Sequence, residues 1–301
     1  MSLPKIDFLV IGTQKGGTTT LDSMLEQHPA LFLAQVKELN YFALGGKAPN
    51  WQGPGDDRAA NALSAYRDDQ YAAHFRGAQA GQKLGESSVL YLYSEHAPAA
   101  IHAHNPGMKL IAVLRDPVKR AYSAYSHLRR DAREPEADFR TALAQETART
   151  GANWEQLWRY RETGHYGDQI ERFLQYFPRE QLLLFTTEML KDLPAVVRQC
   201  YEFLGVDPAF QPDYDITMNV SGLAKNQGLN DFLGAPHPLK DALKKVLPLS
   251  LGRKIKGWIS QRNLTPMPPC PSDVAAELRA YYRPQVDKTE RLTGLDLSAW
   301  K

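Results

Sequence analysis

The chain has only two cysteines, Cys200 and Cys270, in 301 residues. That excludes a disulfide framework and any cysteine-based metal site, and a reducing cytoplasm is the expected compartment. No apolar run reaches the ~18 residues that a membrane helix needs. The start Met-Ser-Leu-Pro-Lys enters an apolar segment directly, with no basic stretch and no cleavage signal, so no signal peptide is expected. An excess of one charge is missing too: 36 Lys+Arg stand against 34 Asp+Glu, a net +2. A protein shaped for a long polyanion carries a larger excess, which argues against nucleic acid and equally against a heavily sulfated polysaccharide. No internal repeat is visible, and the length suits one large globular domain or two.

What the chain does have is a strong anion-site signal near its start. Phe8-Leu-Val-Ile-Gly-Thr-Gln-Lys-Gly-Gly-Thr-Thr-Thr-Leu21 is an apolar run, a glycine-rich loop with a lysine, and the start of a helical pattern. Free backbone N–H groups at a helix start favour phosphate, as does the helix dipole. Gly16 and Gly17 allow close backbone approach, and Thr18, Thr19 and Thr20 add hydroxyl donors. The loop is not a nucleoside-triphosphatase loop, because Thr18 stands where that motif has its lysine, and Lys15 lies inside the loop instead.

Strand and helix patterns alternate along the chain. Strands are predicted at Ile6–Gly12, Lys83–Val89, Met108–Leu114 and Gln181–Phe185, and Leu31–Ala34 is a short apolar segment. Helices are predicted at Thr18–His28, Asp68–Phe75, Phe139–Ala148, Trp154–Arg161, Tyr166–Phe177, Leu193–Leu204 and Val274–Leu292. A further helix should begin after Asp116 as N-cap, with Pro117 in its first position, and run to about Arg130. Residues 45–62 read as a surface loop, and 211–272 as a long, partly irregular segment. The expectation is an α/β fold: a single domain with a central parallel sheet flanked by helices. Ligands of such sheets bind at the carboxyl ends of strands, where Gly12–Thr19, Glu86 and Arg115 fall.

Three segments carry a family resemblance: Thr13-Gln-Lys-Gly-Gly-Thr-Thr-Thr-Leu21, Lys37-Glu-Leu-Asn-Tyr-Phe42, and Leu114-Arg-Asp-Pro-Val-Lys-Arg-Ala-Tyr-Ser-Ala-Tyr125. Two more agree with them, Gly164-His-Tyr-Gly-Asp-Gln-Ile-Glu-Arg-Phe-Leu174 and the ending Tyr281-Tyr-Arg-Pro284 through Trp300. In this order and spacing they resemble sulfotransferases that use 3′-phosphoadenosine 5′-phosphosulfate (PAPS), in the branch of heparan sulfate N- and 3-O-sulfotransferases with many bacterial members. The resemblance implies that Lys15, Gly16, Gly17, Thr18, Thr19 and Thr20 hold the 5′-phosphosulfate. It implies that Arg115 and Ser123 grip the 3′-phosphate, that Glu38 is the catalytic base, and that Lys225 sits in a loop over the cofactor. Metal is not expected. Lys15 is placed to stabilise the departing phosphate oxygen.

Other readings stay open at this level. Arg115 at a strand end needs a partner, which is a phosphate or a carboxylate such as Asp116. His28, His102, His104, His127 and His165 are alternative bases, with His165 next to the matched helix start. Trp154, Trp158, Tyr160 and Tyr166 line an acceptor cleft or simply pack. The heparan enzymes often carry a lysine after the glutamate of the Lys83–Val89 segment; here Glu86 is followed by Ser87 and Ser88, a departure from a heparan-like acceptor site. The competing functions are a small-molecule kinase, which needs Mg²⁺ carboxylates, and a nucleotide-binding module without catalysis.

Overall fold

The computed structural model describes residues 3–215, 223–224, 264–265 and 268–301. Five strands form one sheet: β1 (Phe8–Gly12), β2 (Leu31–Leu33), β3 (Lys83–Ser87), β4 (Lys109–Leu114) and β5 (Leu182–Thr186). Their order is β2-β3-β1-β4-β5, and every pairing is parallel. The four expected strands lie within two residues of their bounds, and the short apolar segment Leu31–Ala34 supplies the fifth, β2. The main helices are α1 (Thr18–Leu25), α2 (Ala97–His104), α3 (Pro117–Arg130), α4 (Tyr166–Leu174), α5 (Leu193–Leu204) and α6 (Ser272–Thr293). None of the described helices is long and apolar enough to cross a membrane.

The sheet is buried on both faces, which explains why its central strands read as unbroken apolar runs. Side chains alternate between faces along a strand. Phe8 and Val10 of β1, with Ile111 and Val113 of β4, pack on Leu21 and Leu25 of α1 and on Val197, Cys200 and Leu204 of α5. Leu9 and Ile11, with Leu110, Ala112 and Leu114, face the opposite way, into a second core with Ala121 and Leu128 of α3, Ile170 and Phe173 of α4, and Tyr282 of α6.

From β1 the chain runs outward to β2 and β3 on one side and later to β4 and β5 on the other. The order therefore switches at β1, and a crevice opens at its carboxyl end. Asp116 caps α3 as its sequence suggests: its carboxylate accepts hydrogen bonds from Val118 N (3.0 Å) and Lys119 N (3.3 Å), and Pro117 opens the helix. That start fixes Arg115 at the lip of the crevice.

Several expected elements differ. Trp154–Arg161 is not an α-helix; it holds only a 3₁₀ turn at Gln156–Trp158. Its backbone is diverted to side chains, since Glu155 N donates to Asp56 (3.1 Å) and Leu157 N to Glu155 (2.9 Å). Phe139–Ala148 is two short helices, Phe139–Ala144 and Glu146–Gly151, meeting at Gln145. The 45–62 loop is not all surface. Asp56 is fully buried and also accepts from Gly53 N (2.8 Å), Trp158 Nε1 (3.2 Å) and Arg133. The helix Ala97–His104 was not anticipated.

Candidate active site

The loop after β1 is shaped by backbone contacts. Thr13 N donates to Val113 O (2.9 Å), and Gly16 N donates back to Thr13 O (2.9 Å). A side chain at Gly16 would run into the Val113 carbonyl oxygen, so only glycine lets the loop lie against β4. Gly17 then takes φ 105°, a left-handed conformation that admits glycine most readily, and α1 begins at Thr18 with no side chain capping it. Thr20 N donates to Gly17 O (3.1 Å), and the N–H groups of Thr18 and Thr19 are left for an outside acceptor. Thr187 at the end of β5 steadies the loop from below, its hydroxyl donating to Gly16 O at 2.9 Å.

Arg115 and Ser123 meet. The Arg115 guanidinium donates to Ser123 Oγ (3.2 Å) and to the Lys15 carbonyl (3.0 Å), tying the end of β4 to α3 and to the loop. Neither Lys15 nor Arg115 forms an ion pair with a carboxylate among the described residues, Asp116 being spent on the α3 cap. Burial, followed by the positive charges of Arg130 and Arg115, lowers the Lys15 ammonium to about 8. Burial also lowers Arg115. His127, one turn beyond Ser123, joins this group: burial and the nearby Lys15 hold it well below the usual imidazole range, so it stays neutral. Arg130 pairs with Asp131 (2.8 Å), whereas Lys15 and Arg115 have no ion-pair partner among the described residues, and two such cations suit a phosphorylated ligand.

A set of carboxylates stands opposite. Glu38 lies at φ 62°, its N–H donating to Ser87 O (2.9 Å) and its carboxylate accepting from Val89 N (3.0 Å) at the end of β3. Burial pushes its carboxyl up to about 7, against the pull of Lys37. Glu86 is fully buried, accepts from Tyr91 (2.6 Å) and from Ser88, and is also pushed by burial to about 7. Glu155 is raised to about 8, by burial first and then by the charges of Asp56 and Glu38. Cationic groups thus gather at the ends of β1 and β4, and carboxyls with raised affinity for protons gather around the end of β3.

The chain matches the sulfotransferase domain family over residues 5–221. It belongs to the sulfotransferase family. It is 30% identical over 308 residues to the mouse bifunctional heparan sulfate N-deacetylase/N-sulfotransferase 3, covering 99% of this chain and 31% of that protein. This chain therefore spans about a third of that relative's length. It is 30% identical over 294 residues to the mouse heparan sulfate glucosamine 3-O-sulfotransferase 6, covering 96% of this chain and 72% of the relative. A crystal structure of a sulfotransferase from Alicyclobacillus acidocaldarius superposes with TM-score 0.77 at 31% identity, over 99% of both chains.

In this sulfotransferase, Arg115 meets Ser123 and the Lys15 carbonyl, Gly16 to Thr20 lead from Lys15 into the start of α1, and Glu38 is held at the end of β3. Lys225 lies outside the described residues, as does most of 211–272. Three of the aromatic cleft candidates are core: Trp158, Tyr160 and Tyr166 are all but fully buried. Most of the histidine alternatives have other duties. His28 contacts Asp207 O (3.1 Å), His104 accepts from Ile6 N (3.2 Å), and His102 packs edge-on against Phe177. His165 pairs with Tyr281 Oη (2.8 Å).

Sequence reading passed over Asp22, Lys37 as a site residue, Glu155 and Thr187. Helical spacing held a usable signal for two site residues: Asp22 is four residues past Thr18, and His127 four past Ser123, so each shares a face with a matched residue.

Proposed function

We propose that the protein transfers a sulfuryl group from PAPS to a hydroxyl, or as second choice an amine, of a carbohydrate, lipid or other small-molecule acceptor. The observation that carries the reading is the Arg115–Ser123 contact beside the Lys15 loop, two cationic groups with no ion-pair partner among the described residues, at the switch point of the sheet. When bound, PAPS supplies an SO₃ group whose bond to a phosphate oxygen breaks as a bond to the acceptor oxygen forms. Lys15 offsets the charge gained by the departing oxygen. The α1 N–H groups and the hydroxyls of Thr18, Thr19 and Thr20 hold the 5′ side, and Arg115 with Ser123 holds the 3′-phosphate. Glu38 takes the acceptor's proton, and a carboxyl near 7 is well matched to that task at neutral pH.

A kinase reading is weaker, since Thr18 replaces the lysine of that loop. Both cysteines are free, and we place the enzyme in the cytoplasm. The test is a screen of acceptors with isotopically labelled PAPS, read by mass spectrometry. Label gained by an acceptor together with release of 3′-phosphoadenosine 5′-phosphate (PAP) supports the reading. A phosphorylated product formed from ATP and Mg²⁺ instead would overturn it.

A further inference from the structure

Lys37 does not behave as a surface lysine beside Glu38. Its ammonium turns away from the Glu38 contact with β3 and reaches α1, lying 3.3 Å from Thr18 Oγ1 and 3.4 Å from Thr19 Oγ1, with Asp22 as its ion-pair partner. The Lys37 side chain keeps 29% exposure, whereas Asp22 has 3%. A buried carboxylate costs folding free energy unless a cation meets it. Burial indeed pushes the Asp22 carboxyl up, and Lys37 opposes this more than any other group. Ser87, at the carboxyl end of β3, flanks Asp22 from the sheet side. The molecule therefore spends stability to hold one ammonium at the mouth of the phosphate loop.

We propose that Lys37 is a second cation of the transfer centre, contacting the oxygens of the sulfuryl group, and that Asp22 is its positioning residue. The proposal rests on the sulfuryl-transfer reading above. Two of the three Lys37 donors now face threonine hydroxyls at long range, and these are weak neutral acceptors that an anion displaces with a stronger charge-assisted bond. The ion pair with Asp22 remains, so the ammonium keeps its place when the two donors change partners. The consecutive residues Lys37 and Glu38 diverge at the φ 62° turn, the cation toward α1 and the carboxylate toward Val89 N. Cation and base thus bracket the point between the loop and β3. Lys15 serves the leaving oxygen, and Lys37 the group that moves.

The bland alternative is that Lys37 only neutralises Asp22, and a double variant separates the two roles. Wild type, Lys37→Met, Asp22→Asn and the combined variant are compared for melting temperature, for affinity toward PAP and PAPS without acceptor, and for single-turnover rate. PAP lacks the sulfuryl group, so it reports on the rest of the site. Lys37→Met should lower the melting temperature by leaving Asp22 unpaired, and the combined variant should recover it. We expect the recovered protein to keep PAP affinity within roughly twofold but to lose roughly tenfold in PAPS-over-PAP preference, with a larger fall in rate. Lys37→Arg should restore part of that preference. Asp22→Asn should weaken the preference without lowering the melting temperature, which a purely structural Asp22 would not do. A combined variant with wild-type PAPS preference and rate would overturn the proposal. Wild-type protein that binds neither nucleotide would instead overturn the sulfuryl-transfer reading.

Discussion

Glu38 and Lys15 together should set the pH dependence of turnover. Glu38 must be ionised to accept a proton, and burial holds it at about 7. Lys15 must be protonated to stabilise the leaving oxygen, and burial with its cationic neighbours holds it at about 8. The fraction of free enzyme with both groups in the required state peaks midway, at roughly 60% near pH ~7.5, and falls to roughly a tenth at pH ~6 and pH ~9. The kcat/KM profile should therefore be a narrow bell, dropping roughly sixfold on each side. The kcat profile should be broader on the alkaline side, because the negative charge of bound PAPS beside Lys15 raises its pKa. Glu38→Gln should abolish the acid limb and cut the rate constant by roughly 10²–10⁴. Lys15→Arg should abolish the alkaline limb, since guanidinium does not titrate in this range. The assay is the initial rate of PAP release at sub-saturating PAPS from about pH 5.5 to about 9.5. A flat profile, or an acid limb that survives Glu38→Gln unchanged, refutes the assignment and makes His165 the next base to test.

Three further outcomes follow from the geometry. Glu38→Gln should stabilise the fold above pH ~7: the folded carboxyl sits above its ordinary 4.5, so its ionisation opposes folding from that pH upward, by up to about 3 kcal/mol, and the gain over wild type should vanish near pH ~4.5 in melting curves. Gly16→Ala should lower PAP affinity in calorimetry, because the new methyl meets a backbone oxygen that cannot yield and the loop must move; unchanged affinity would show that the loop is not the phosphate cradle. Asp56→Ala should cost roughly 3–5 kcal/mol in denaturant unfolding, since it strips four donors of one buried acceptor; a loss under about 1 kcal/mol would mean the loop is not pinned there.

The fold was legible where local signals coincide. The β1–loop–α1 unit combines an apolar run, glycines and a helical pattern, and the α3 start combines an N-cap with a proline, so both could be read from short windows. The helix Leu193–Leu204 begins and ends where its periodicity and Gly205 put it. Legibility failed where a distant side chain takes over the backbone's hydrogen bonds. Asp56 captures Glu155 N from 99 positions away, and no window around Trp154–Arg161 contains that information. The Ala97–His104 helix carried a readable cue, a proline in its first turn followed by two alanines, that its weak amphipathic contrast hid. At the site, the matched residues came from motif order, whereas the Lys37–Asp22 pair depends on how the segment after β2 turns back over α1. The left-handed backbone at Glu38 makes that turn, and nothing in its residue type announces it.

The most direct test of the central claim compares PAP with ADP by calorimetric titration of the wild-type protein and of Arg115→Ala. PAP carries a 3′-phosphate where ADP carries a second 5′-phosphate, so the two place the same number of phosphates differently, and the Arg115–Ser123 pair is assigned to read the 3′ one. The account predicts that wild type prefers PAP by roughly 2–3 kcal/mol, and that Arg115→Ala loses most of this preference while its ADP affinity changes little. Equal affinities for PAP and ADP in the wild type, or a preference that survives Arg115→Ala, would contradict it.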